Sequence, residues 1–120
     1  MNKEVKKKWV DALRSGEYAQ GRSSLRDHDE YCCLGVLCEL AVKEGVIAPP
    51  TYSDGVWRYV GDQEYYLPRV VMDWAELTEE DPKVDPGEDS EFSEWNTLAQ
   101  MNDGAQADFD QIAEMIEECL

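Results

Sequence analysis

Ten consecutive residues, Tyr31-Cys32-Cys33-Leu34-Gly35-Val36-Leu37-Cys38-Glu39-Leu40, include a single charged side chain. The rest of the chain must enclose a run this apolar, since each Å² of apolar surface removed from water stabilises the fold by ~25 cal/mol. From Cys33 to Glu44 apolar side chains occupy nearly every angle of a helix, interrupted only by Glu39, Lys43 and Glu44. That pattern predicts a helix buried on several sides. Gly35 in its first turn admits the close approach of another backbone, and Gly45 suits its end.

The other elements follow from shorter signals. Val5, Trp9, Ala12 and Leu13 form an i, i+4, i+7, i+8 stripe, which predicts a helix over about residues 2–14 with Lys3, Lys6, Lys7 and Lys8 outside and Gly16 as its cap. Residues 17–31 read as two short strands, Tyr18 to Arg22 and Leu25 to Arg26, before an Asp27-His28-Asp29 turn. After Pro49-Pro50, the β-branched and aromatic runs Val56–Val60 and Glu64–Leu67 predict a hairpin about Gly61-Asp62-Gln63. Pro68 suits the start of a short helix that turns Val70, Val71, Trp74 and Leu77 to the core. Glu76 to Glu94 holds nine acidic residues and one lysine, and reads as a solvated, flexible acidic loop. Thr97 to Asn102 suggests a helical turn, and Asp108 caps a last helix carrying Phe109, Ile112, Ala113 and Ile116. With 120 residues the expectation is one α+β domain, mainly helical: about four helices and one or two short β-hairpins packed on a buried central helix.

Charge divides the chain in two. Residues 1–50 carry eight Lys or Arg and eight Asp or Glu, whereas the remaining seventy carry three basic and nineteen acidic residues, so the whole net charge of -16 lies after Pro50. A polyanionic surface repels phosphate backbones and attracts basic partners, which argues against direct binding of nucleic acid and suits a partner with a basic surface, although surface charge more commonly serves solubility alone. Within the acidic segment Glu79, Glu80, Asp81, Glu88, Asp89 and Glu91 are the partner-binding candidates. With no apolar stretch of membrane-spanning length and no recognisable signal peptide, a cytoplasmic protein that does not engage membranes is expected. The cysteines at 32, 33, 38 and 119, with His28 as the only histidine, lack zinc-ligand spacing, so they read as compact buried thiols and neither metal nor cofactor is expected.

Gln20-Gly21-Arg22 and Arg26 offer an amide, a close-approach glycine and two guanidiniums within seven residues, a composition that suits a small anionic ligand. Asn102 and Asp103 join them as ligand-binding candidates, although Asn-Asp-Gly is also the composition of a turn. The structural alternative is that Gln20 and Arg26 satisfy buried backbone groups or pair with Asp27, Asp29 or Glu30. No catalytic residues are assigned. A cysteine nucleophile would need a base, and His28 sits in an acidic turn without an evident orienting partner.

As an ordered set, Trp9-Val10-x-Ala12-Leu13-Arg14-Ser15-Gly16-x-Tyr18-x-Gln20-Gly21, Leu25-Arg26, Cys32-Cys33-Leu34-Gly35-Val36-Leu37-Cys38, Leu67-Pro68, Trp74, Leu98-Ala99-x-Met101-Asn102-Asp103 and Phe109-x-x-Ile112-Ala113-x-x-Ile116 resemble a widespread family of small phage and prophage proteins without an assigned activity. A looser similarity links the chain to small actinobacterial proteins that pair a Trp-x-Gln-Gly-like segment with a Cys-Leu-Leu-Gly-Ala-like helix and a later Asn-Asp; Tyr18 stands here in place of that tryptophan. The resemblance implies a phage origin and an accessory role in the cytoplasm of an infected bacterium, and it carries over no catalytic residue. Three functions are therefore expected, in order: a non-catalytic binder that occludes a host protein, for example one of a defence system; a protein that sequesters a small anionic ligand such as a nucleotide signal; and an uncharacterised hydrolase.

Overall fold

The computed structural model describes residues 1–120 as five α-helices and two small sheets. Helix α1 (Lys3–Arg14) starts at Asn2, whose side chain accepts hydrogen bonds from the backbone amides of Glu4 and Val5. These are two of the donors that a helix start leaves open. Its buried stripe is Val5, Trp9, Val10 and Leu13, and the chain turns away at Gly16 with φ +78°.

Helix α2 (Cys33–Lys43) is the centre of the molecule, with every residue from Cys33 to Cys38 and also Ala41 buried. Two close contacts seat it. The fully buried Trp9 donates from Nε1 to the Cys33 carbonyl at 3.0 Å, tying α1 to the start of α2. At Gly35 a Cβ would fall 1.8 Å from the Leu25 carbonyl oxygen, so only glycine lets the 25–26 segment cross there. The chain leaves α2 at Gly45, where φ is +74°.

Between α1 and α2 lies a three-stranded sheet of order β1-β3-β2, formed by Ala19–Gln20, Arg26–Asp27 and Glu30–Tyr31. The two strands expected before the turn are thus three. The hairpin is β2–β3, closed by His28 and Asp29, and β1 runs parallel to β3 instead of pairing with β2. The second hairpin is also displaced from its expected place. It joins β4 (Thr51–Ser53) to β5 (Val56–Arg58) through Asp54-Gly55, whose φ values of +54° and +81° make the tight turn that suits strand twist. Gly61-Asp62 does turn the chain, but only Tyr59 and Gln63 pair across it. The following residues run elsewhere: Glu64 accepts from the Leu25 amide, and the Leu67 amide donates to Glu80.

Helix α3 (Arg69–Ala75) buries Val71 and Ala75, four residues apart on one face. Val70, expected in the core, is 45% exposed because that face leaves it about a quarter-turn away. Leu77 is buried after a left-handed Glu76. The acidic segment has neither helix nor extended strand, as its composition implies, yet it is not uniformly solvated. Leu77, Pro82 and Val84 are buried, and the backbones of Pro82 and Val84 bond to Leu98 and Asn96. Helices α4 (Leu98–Asp103) and α5 (Phe109–Cys119) complete the domain, α4 capped by Thr97 and α5 by a reciprocal Asp108–Gln111 box.

Candidate functional site

Asn102 is the one buried polar side chain, fully enclosed on α4, and four of the six candidate ligand residues meet around it. Its Oδ1 accepts from Gln20 Nε2 at 2.9 Å and from the Cys33 amide at 3.2 Å. Its Nδ2 donates to the Gly21 carbonyl and to Asp103 Oδ1, both at 2.8 Å. Gln20 also donates to the Ala107 carbonyl at 2.8 Å, and Asp103 Oδ1 takes the Ser23 amide at 2.9 Å. Glycine suits position 21 because a Cβ there would lie 2.9 Å from that of Glu30. All four hydrogen-bonding positions of the Asn102 amide are thereby occupied by protein. The cluster joins β1, the start of α2, α4 and the approach to α5.

The two arginines lie outside this cluster. Arg26 donates from Nε to the His28 carbonyl at 2.8 Å, stands 3.7 Å from Asp29, and lies over the Trp57 ring at 3.9 Å from its centroid. Tyr31 flanks the same guanidinium at 5.4 Å, and Tyr52 packs on Trp57 at 5.1 Å between centroids. Arg26 therefore staples the first sheet to the second hairpin. Arg22 is exposed and makes no side-chain hydrogen bond or ion pair. Beside Gln20 runs a groove of about 320 Å³ that Arg14 shares with Asp108 and Asp110, a mixed lining for an anion.

Burial pushes the Cys32 thiol up to about 12 and those of Cys33 and Cys38 well above the ordinary thiol value, which keeps all three protonated at neutral pH. His28 projects from its turn with Nδ1 2.7 Å from Asp27. Burial, and then the hydrogen bond to Glu39, raises the pKa of the Tyr59 phenol, which donates to Glu39 at 2.6 Å. No group of three or more His, Cys, Asp or Glu side chains converges as metal ligands would.

The acidic candidates separate into two kinds. Glu79, Glu80, Glu88, Asp89 and Glu91 are exposed, and among them only Glu79 has a cation nearby, Lys83 at 3.9 Å. Asp81 is half-buried and accepts the Ala99 amide at 2.9 Å, so it helps to start α4. Of the nineteen carboxylates after Pro50, only Glu64, Asp73, Glu79 and Glu117 pair with a lysine or arginine.

These features define a single α+β domain, knitted by a buried asparagine and clothed on its C-terminal half in unpaired carboxylates. The chain belongs to the family described as "Domain of unknown function (DUF8296)", whose model matches residues 1–120. No curated protein and no solved structure matches it. No helix is long and apolar enough to cross a membrane.

Proposed function

We propose that the protein is a non-catalytic binder whose acidic surface docks on a basic protein and occludes it. The supporting observation is that fifteen of the nineteen carboxylates after Pro50 have no lysine or arginine partner. Such a surface is a standing field that accelerates encounter with a cationic partner and is weakened by salt. In its fuller form the proposal takes up the sequence resemblance: a phage-encoded accessory protein, acting in the cytoplasm of an infected bacterium on a host protein such as a defence component.

Sequestration of an anionic ligand receives less support. Gln20, Gly21, Asn102 and Asp103 are engaged with one another, and Arg26 is engaged with Trp57 and His28. Hydrolysis would call on thiols that are buried and protonated, or on a histidine fixed to an exposed turn. The test is capture of bacterial lysate proteins on the immobilised protein at low and high salt. Recovery of a basic protein that high salt releases is expected; recovery only of acidic or salt-indifferent proteins would contradict the proposal.

A further inference from the structure

A pocket of about 270 Å³ opens between Tyr66, the end of α4 and the acidic segment, with Tyr66 and Trp95 as its aromatic sides and Asp81 and Asp103 as its charged ones. Its volume lies below the roughly 300–1,000 Å³ of sites that hold drug-sized ligands, a scale suited to one side chain. Each wall is held from behind. The Trp95 amide donates to Phe92, and the indole lies where a Cβ on Gly104 would come within 2.9 Å of its Nε1. Leu67, next to Tyr66, is bonded to Glu80, next to Asp81.

The carboxylates are pinned in the same way, each through one oxygen. Asp81 Oδ1 takes the Ala99 amide, and Asp103 Oδ1 takes Ser23 N and Asn102 Nδ2, while neither Oδ2 receives a hydrogen bond. No lysine, arginine or histidine of the chain forms an ion pair with either residue. Two fixed carboxylates with a free oxygen each, beside two aromatic rings, are complementary to a planar cation.

We propose that this pocket receives one arginine side chain of a basic protein partner, with Tyr66 and Trp95 against the guanidinium and the free oxygens of Asp81 and Asp103 accepting from its N–H groups. Arginine is favoured over lysine because its flat, weakly hydrated group both stacks and forks. The choice of a protein as the source rests on the acidic-binder reading above, and the pocket gives that diffuse surface a point of specific contact.

The indole N–H signals of the ¹⁵N-labelled protein report on the pocket directly, with Trp95 assigned through Trp95→Phe. Titration with a capped Gly-Arg-Gly peptide is expected to move the Trp95 signal saturably, with Kd on the order of millimolar for so small a contact. The Trp57 and Trp74 signals should stay in place, and the uncharged citrulline peptide should have no effect. Asp81→Asn/Asp103→Asn keeps both Oδ1 acceptors and should weaken binding ~tenfold or more; Tyr66→Ala, at a 41% exposed position, should weaken it as well. A non-saturable response, an equal response to citrulline, or undiminished binding by both variants would overturn the pocket. Failure of the titration beside salt-sensitive capture of a basic protein sinks the pocket alone. Success of the titration without such capture sinks the wider occlusion reading alone.

Discussion

Gln20 and Asn102, 82 residues apart in sequence, share a hydrogen bond of 2.9 Å at the join of the first sheet and α4. Because the Cys33 amide meets the same Asn102 oxygen, one side chain fixes the entry to the central helix as well. Asn102→Ala removes the partner of two donors and of the Gly21 carbonyl at a fully buried position. The expected loss is at least ~2 kcal/mol in urea unfolding, and a loss below ~0.5 kcal/mol would show water or a rearranged Gln20 replacing the amide.

Gly35 and Gly21 should differ in severity. A Cβ at Gly35 meets the Leu25 carbonyl at 1.8 Å, a backbone atom that cannot turn aside, whereas at Gly21 the nearest atom is the Glu30 Cβ at 2.9 Å, a milder overlap with an exposed residue of the central strand β3. Gly35→Ala is expected to lose more than ~4 kcal/mol or fail to fold, and Gly21→Ala to fold with a lowered melting temperature. The reverse order in thermal melts would refute the close crossing at α2.

Leu37 is fully buried near the middle of α2. Leu37→Ala should cost about 2–5 kcal/mol through lost transfer energy and the cavity left behind. A cost below ~1 kcal/mol would make α2 peripheral.

Alkaline pH should destabilise the fold. Cys32, Cys33, Cys38 and Tyr59 all have folded pKa values raised chiefly by burial, so their contribution is fully present below the unfolded thiol and phenol values and is lost as pH rises toward the folded ones. For Cys32 the window runs from about 9 to about 12. Urea midpoints should fall from pH 8 to pH 10.5, and a constant or rising midpoint would contradict the burial. At neutral pH the half-buried Cys119 should be alkylated first, well ahead of the three core thiols.

What was legible in the sequence is what short-range chemistry decides. Helices α1, α2 and α5 announce themselves through their apolar patterns, the Asp108 cap and the glycines at 16 and 45, and none of those signals depends on a distant residue; the Asn2 cap of α1 came only with the structure. The second hairpin is displaced because two turn-forming pairs, Asp54-Gly55 and Gly61-Asp62, compete within nine residues. The richer aromatic flanks of the second pair belong instead to long-range bonds with Leu25 and Glu80. Arg26 offered its nearby acids as partners, and Asp29 is one of them, but nothing local points to Trp57, which folding brings beneath it. Asn102 was visible as a residue of interest and invisible as a hub, since its partners Gln20, Gly21 and Cys33 lie 69 to 82 residues away. The same holds for the Tyr66–Trp95 pocket, assembled from segments that no spacing rule connects.

Association kinetics with a captured basic protein test the occlusion proposal most directly. The variant for comparison combines Glu79→Gln, Glu80→Gln, Glu88→Gln, Asp89→Asn and Glu91→Gln, all exposed, and leaves Asp81 in place because it accepts the Ala99 amide at the start of α4. With folding unchanged by circular dichroism, the association rate constant should fall about tenfold or more at low ionic strength, and its dependence on salt should flatten. An association rate and salt slope equal to those of the unaltered protein would contradict the account and reduce these carboxylates to solubility.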